Sequence, residues 1–196
     1  MPFTKYAIDT YISEHVSNVT QIGATDVSHH HPNYEQWISG FGLSVIFLDS
    51  LKPESKHLAL QFIRRTVVSL NHYSTACVHL EELVVAAAPK WSPYFLALSY
   101  FEDAVGQLYQ AMDISRKAMG VQLFEKNDAS LEQRLNTIYN TSKHCVPQIE
   151  QPVWLTNSGL ECAESKVSFL EIEDWLRACA RISEQIAQGR PNEARA

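Results

Sequence analysis

The apolar side chains between Pro53 and Ala88 recur every three or four positions, and this long run restricts the fold more than any other feature of the chain. The residues that keep the period are Leu58, Phe62, Ile63, Val67, Leu70, Tyr73, Cys77, Leu80, Leu83 and Val84. Such spacing places them on one face of an α-helix. Proline is favoured in the first turn of a helix and disrupts its interior. Pro53 and Pro89 therefore bound a predicted helix over 53–88, either continuous or interrupted near Asn71.

Five other segments of the chain show the same period. They are 3–23, 34–51, 92–119, 130–145 and 168–188. Ser130 with Gln133, and Ser168 with Glu171, have the spacing of capping boxes, in which two side chains satisfy free backbone N–H groups at a helix start. Turn-forming residues between short apolar runs predict a hairpin or loop before the last helix. We therefore predict an all-α fold, an antiparallel bundle of five to six helices with a short β-hairpin or extended loop near 153–162.

Composition limits the number of domains and the kinds of partner. A chain of 196 residues with 45% hydrophobic residues suits one core, since domains usually hold about 100–200 residues. We expect one helical-bundle domain over 1–190 and a frayed tail over 191–196. The net charge of −6 argues against DNA binding, because phosphate recognition relies mainly on Lys and Arg. The longest apolar run is far shorter than the ~20 residues that cross a bilayer, so no membrane partner is expected.

The cysteines and the N-terminal residues predict the compartment. The four cysteines are widely spaced and form no CxxC pair: Cys77, Cys145, Cys162 and Cys179. This pattern is typical of reduced thiols in a cytoplasmic protein. The first residues lead into a helical pattern without the apolar core of a secretory signal. We therefore expect a cytoplasmic protein, with Cys145 beside His144 left open as a reactive thiol.

Two histidine patterns raise the question of a metal ion. The triplet His29-His30-His31 follows Asp26, but adjacent side chains point in different directions, so a solvated loop is the preferred interpretation and a metal site the alternative. Glu54 and His57 form a single Glu-x-x-His unit, whereas di-metal bundles need two. The chain also has no phosphate-binding loop, GxSxG, GxGxxG or HExxH motif. We predict no metal and no cofactor.

Three further polar residues interrupt apolar helix faces. Glu102 lies within the apolar pattern of the 92–119 helix, and we interpret it as the edge of that face, with a buried acid as the alternative. His72 and His79 are seven positions apart and share one helix face. They can therefore pair with an acid from a neighbouring helix.

The densest group of polar side chains lies between Arg134 and His144. At about 100° per residue, Asn136, Asn140 and His144 line one helix face, with Lys143 at its edge. Amide and ammonium groups donate to phosphate, and histidine transfers protons near neutral pH. The pattern therefore indicates a phosphate-binding or catalytic site. A solvated face that ends in a cation favourable to the helix dipole is the slightly preferred interpretation.

The order of these elements is similar to that of a known superfamily. A long helix, a loop and the segment from Arg134 to His144 resemble the late helices of the HEPN superfamily of small helical proteins, over 92–144. The resemblance implies a homodimer, and in active members an Arg and a His at the dimer interface cleave RNA without metal. His144 corresponds to that His. Tyr139 and Asn140 stand where the Arg is expected, and Arg134 lies about 15 Å away along the helix, so it takes part only if a dimer brings it across.

Two functions follow from these patterns. The first is a non-catalytic, HEPN-like interaction protein that binds a second copy of itself or another protein. The alternative is a metal-independent endoribonuclease in which His144 transfers a proton while a ribose 2′-hydroxyl attacks the adjacent phosphate. Asn140, Lys143 and Arg134 would then stabilise the developing charge, and RNA would be the partner.

Overall fold

The long helix predicted from the sequence is present and continues unbroken through Asn71. The computed structural model describes residues 4–48, 52–85, 91–143 and 152–190, so the predicted tail at 191–196 lies outside the described residues. Within them the α-helices are α1 Lys5–Tyr11, α2 Glu14–Asn18, α3 Trp37–Leu48, α4 Pro53–Val85, α5 Trp91–Ala118, α6 Leu131–Lys143 and α7 Phe169–Ala187. Two short 3-10 helices, Ser28–His30 and Tyr34–Gln36, precede α3.

A small antiparallel sheet lies between α6 and α7. Its strands are β1 Trp154–Thr156, β2 Gly159–Cys162 and β3 Ser165–Ser168, in the order β1-β2-β3. Leu160 at the centre faces Leu155 on one side and Val167 on the other, and all three are buried. The predicted hairpin is confirmed. The predicted helical class is also confirmed, and the third strand adds to the predicted hairpin, so that the fold is mostly helical with a small three-stranded sheet.

The helices α4 and α5 form the centre of the molecule and run in opposite directions. Ser69 on α4 donates its hydroxyl to the carbonyl of Ala104 on α5 at 2.7 Å, and one turn earlier Arg65 donates to Gln107 at 2.7 Å. Tyr73 and Phe101 meet edge to face, with ring centroids 5.2 Å apart. Small buried residues on both helices, such as Ala104, permit this close approach, and the aromatic pair adds directional packing.

The sheet is joined to α5 by one tyrosine. The buried hydroxyl of Tyr94 donates to the carbonyl of Leu155 at 3.1 Å and accepts from the N–H of the same residue at 3.0 Å. Burial is the main cause that raises the pKa of Tyr94. The hydroxyl therefore stays protonated and fixes β1 against the start of α5.

The N-terminal segment corrects a prediction. In place of one helix over 3–23, the chain forms α1 and α2 with Ser13 between them. Ser13 is extended, and its side chain accepts from the N–H of His15, so it begins a new helix rather than continuing the first. The segment that follows is held by Asn157, whose Oδ1 accepts from the N–H groups of Thr20 at 2.8 Å and Gln21 at 3.0 Å.

The starts of the last two helices agree closely with the predicted caps. Ser168 and Glu171 form both hydrogen bonds of a capping box. At α6 the hydroxyl of Ser130 accepts from the N–H of Gln133 at 3.2 Å, but the Gln133 side chain accepts from Ala129 rather than from Ser130. Across the described ranges, no helix is both long enough and apolar enough to span a bilayer.

Candidate functional site

The orientation of α6 is set by its apolar face. Leu135 and Ile138 are fully buried, and Leu131 packs against the same core. The helix lies against α5 on one side and against β2 and β3 on the other. This arrangement fixes the orientation of Arg134, Asn140 and Lys143.

Arg134 is held by acceptors from two other elements. Its guanidinium donates to both carboxylate oxygens of Glu171, at 2.6 Å and 3.3 Å, and to the carbonyl of Lys166 at 2.7 Å. Such two-point pairing is stronger and more directional than a single contact. Arg134 therefore joins α6 to β3 and to the first turn of α7.

The carboxylate of Glu171 is strongly biased toward its ionised form. The hydrogen bonds from Arg134 are the largest cause that lowers its pKa to about 2, burial opposes them, and bonds from Ser168 add to the lowering. A carboxylate that accepts several hydrogen bonds resists protonation. The charge of Arg134 is thus neutralised inside the protein rather than presented to a ligand.

Asn136 and Asn140 share one face of α6, as the spacing predicts. Asn140 donates its amide to the side-chain oxygen of Asn136 at 3.0 Å, and Asn140 is exposed. Each amide therefore satisfies part of the other's hydrogen-bonding capacity. His144, the third member of the predicted face, lies outside the described residues, as does Cys145.

Lys143 lies at the exposed end of α6, above an aromatic pair. Its ammonium is 5.6 Å from the centroid of the Tyr139 ring, a cation–π arrangement. Tyr139 stacks on Tyr109 with centroids 5.5 Å apart and accepts from Gln110 at 3.1 Å. The ring lies over Gly106, where a Cβ would come within 3.0 Å of it. A glycine at that position of α5 lets the tyrosine pack closely.

Glu102 fits the preferred sequence interpretation, because it is half-buried at the edge of the apolar face of α5. Burial, followed by the charge of Asp103, raises its pKa to about 7. Within the described residues it forms no hydrogen bond or ion pair. A half-buried acid of this kind suits proton transfer near neutral pH.

The two histidines of α4 flank a tyrosine of α5. Tyr100 stacks on His79 with centroids 5.6 Å apart and meets His72 edge-on at 5.8 Å. Nδ1 of His72 is 3.8 Å from Asp103 of the neighbouring helix, and Nδ1 of His79 is 3.0 Å from Glu82 of its own helix. Asp103 of the neighbouring helix therefore lies near His72, as predicted, but the two are not hydrogen-bonded, because Nδ1 of His72 is buried without a hydrogen-bond partner among the described residues.

The histidine triplet is divided between two environments. His29 and His30 contact each other with centroids 4.2 Å apart. His31 instead lies edge-on to Trp37, and its Nδ1 is 3.7 Å from Glu184. Burial is the main cause that lowers the pKa of His31. In the part of the chain that the structure describes, no three His, Cys, Asp or Glu side chains lie close enough together to hold a metal ion.

A buried acid on α7 was missed at the level of sequence. Glu173 is 4% exposed and accepts from the Tyr73 hydroxyl at 3.0 Å, the Thr25 N–H at 2.7 Å and Arg177 at 3.1 Å. The signal was present, because helical spacing puts Glu173 between Phe169 and Leu176 on the inner face. With every contact supplied by the protein, this acid anchors the N-terminal segment to α4 and α7.

The described thiols that show a shifted pKa are held in the protonated form. Burial raises the pKa of Cys179 to about 12, and burial with the nearby charges of Asp26 and Glu173 raises that of Cys77 to about 12. The nucleophilic form of cysteine is the thiolate. Neither of these residues is therefore suited to nucleophilic catalysis.

Comparison with known proteins yields no relative. No family model, no curated protein and no solved structure matches the chain. The resemblance to the HEPN superfamily therefore stays a prediction, carried by the residues from Arg134 to His144.

Proposed function

We propose that this chain is a non-catalytic, HEPN-like helical-bundle protein that acts by binding a second copy of itself. The observation that carries the proposal is the contact of Arg134 with Glu171 and Lys166. In a nuclease of this type the arginine must face the phosphate. Here its donors are directed at a carboxylate and a backbone carbonyl, and withdrawing them would leave Glu171, the residue that caps α7 with Ser168, without its cation.

The neighbouring polar groups support the same function. Asn136 and Asn140 bond to each other, and Lys143 rests over Tyr139. These contacts stabilise a helix face and need no substrate. A surface of this kind suits a structural or interaction role.

A metal-independent endoribonuclease is the second candidate, and one observation favours it. Asn140 and Lys143 are exposed, and within the described residues Lys143 has no carboxylate partner. A phosphate could therefore reach both, with His144 as the proton-transfer group. Arg134 would contribute only after leaving Glu171.

An RNA cleavage assay separates the two functions. Wild type, His144→Ala and Lys143→Gln are prepared in parallel and incubated with single-stranded and hairpin RNA in the presence of a chelator. We expect the three proteins to show the same background cleavage. Cleavage by wild type that falls at least about tenfold in His144→Ala, a loss of roughly 1.4 kcal/mol of transition-state stabilisation, would establish the nuclease instead.

A further inference from the structure

One face of α3 exposes large apolar side chains to solvent. Leu43, Ile46 and Phe47 are 57%, 73% and 77% exposed, and Ser39 and Gly42 lie between them at helical spacing. We call these five residues the α3 outer face. The helix carries no charged residue anywhere between Trp37 and Leu48, so no charge separates these side chains.

The described part of the chain does not account for this face. Trp37, Phe41 and Ser44 turn inward and are buried, and α3 packs against α4 and α7. An amphipathic surface helix normally places polar residues opposite such an inner face. Apolar residues opposite it indicate a surface that another molecule covers.

The two glycines of α3 differ in their surroundings. A Cβ at Gly40 would lie 3.4 Å from the carbonyl oxygen of Ala187, so Gly40 lies against α7. A Cβ at Gly42 would meet nothing within 4 Å among the described residues. Glycine inside a helix is less favourable than alanine, and at Gly42 no contact with the described residues compensates for it. A second helix that crosses at Gly42 could approach the backbone closely.

We propose that the α3 outer face is the contact surface between two copies of this chain, packed α3 against α3 about a two-fold axis. The inference rests on the proposed self-association and names its surface, which lies on α3 and differs from the surface around α6 that the HEPN resemblance implies. In such an interface each residue near the axis meets its own copy. A charge there would face a like charge, and the net charge of −6 makes two copies repel over the rest of their surfaces. The charge-free α3 outer face avoids that repulsion.

The exposed area suits a small dimer interface. A specific interface removes about 800 Å² from each partner, and a large aromatic side chain presents about 150–250 Å². Taking a similar size for the aliphatic residues, Leu43, Ile46 and Phe47 supply about half of that area. Ser39, Gly42 and the residues beside them form the remainder, so we expect a dimer at the weaker end of specific complexes.

The test compares dimerisation of matched variants by sedimentation equilibrium. Ile46→Glu places like charges near the axis, and Leu170→Glu makes the same chemical change at a residue that is 65% exposed on α7, outside the α3 outer face. We expect Ile46→Glu to raise the dimer dissociation constant at least about 30-fold and Leu170→Glu to leave it within about threefold. Circular dichroism and thermal unfolding check that both variants stay folded.

A third variant tests the close approach at Gly42. Gly42→Ala adds a methyl group that the single chain can accommodate, so the folded monomer keeps or gains stability. We expect the same change to raise the dissociation constant about three- to tenfold. Equal dissociation constants for Ile46→Glu and Leu170→Glu would show that the α3 outer face is not the dimer interface, while leaving the proposal of self-association intact. A wild type that stays monomeric, including one that binds lipid vesicles through α3, would overturn both proposals.

Discussion

At the scale of single residues, Arg134 shows how a side chain that suggests chemistry can serve the fold. Its donors satisfy Glu171 and a strand carbonyl, and Glu171 in turn caps α7. Arg134 therefore links three elements of the C-terminal half, α6, β3 and α7. Both side chains remain about one-third exposed, at 31% and 35%, so solvent screens much of the attraction.

Replacing Arg134 by methionine should destabilise the fold by about 1 kcal/mol, because a screened but two-point ion pair is lost. Arg134→Lys should recover only part of this loss, since an ammonium cannot pair with both carboxylate oxygens in the same plane. The free energy of unfolding in urea at pH 7 measures both changes. Equal free energies of unfolding for Arg134→Met and wild type would show that the ion pair does not contribute to stability.

The same ion pair should make the stability of the fold depend on pH, with stability lost in acid. The folded pKa of Glu171 lies at about 2 and its ordinary value at 4.5. The stabilisation is therefore complete above about pH 4.5 and is lost as the pH falls towards 2. In Arg134→Met this loss should be smaller, because the hydrogen bonds from Arg134 are the largest cause that lowers the pKa. If wild type and Arg134→Met lost the same stability between pH 4.5 and pH 2, Arg134 would not be the main cause of the lowered pKa.

Glu102 should give stability the opposite dependence on pH. Its folded pKa is raised from 4.5 to about 7, so the native state binds its proton more tightly than the unfolded chain. Stability is therefore full below about pH 4.5 and falls as the pH rises through 7. Glu102→Gln removes this penalty, and above pH 7 it should be more stable than wild type by up to about 3 kcal/mol. Thermal unfolding at pH 5 and pH 8 measures the difference, and a variant no more stable than wild type at pH 8 would contradict it.

At the scale of elements, Asn157 binds the N-terminal segment to the turn between β1 and β2 through hydrogen bonds. Its side chain accepts from Thr20 and Gln21 and donates to the carbonyl of Asn18 at 3.0 Å. Asn157→Ala removes three hydrogen bonds to a partly solvated backbone, so we expect a loss of about 1–2 kcal/mol. Asn157→Asp keeps the acceptor and should lose less. Faster amide exchange at residues 20 and 21 locates the effect, and unchanged exchange would show that the segment is held by other contacts.

Also at this scale, the local sequence pattern predicted the helices and their caps better than it predicted which residues contact one another. The period of α4 and the Ser168–Glu171 box are properties of neighbouring residues, and both are confirmed. The break at Ser13 comes from a local side-chain cap and the third strand from pairing with β2, and both were missed. The same holds at the site, because the spacing predicts the Asn136–Asn140 face while nothing near Arg134 in the sequence indicates Glu171. The exposed side of α3 did leave a signal, since that helix is apolar all round.

At the scale of the whole molecule, several polar side chains hold the elements together while an apolar face is turned outward. Glu173, Arg134 and Tyr94 join separate elements to one another, whereas Leu43, Ile46 and Phe47 contact solvent. A protein that works by association needs a rigid frame and an uncovered surface. This distribution is the basis of the proposed function.

The most direct test of that function is the mass of the wild-type protein in solution as its concentration rises. Sedimentation equilibrium between about 1 and 100 μM covers the range in which a small interface dissociates. Self-association predicts that the average mass rises from the 22.2 kDa of one chain towards twice that value. A mass that stays at 22.2 kDa at every concentration would contradict the account.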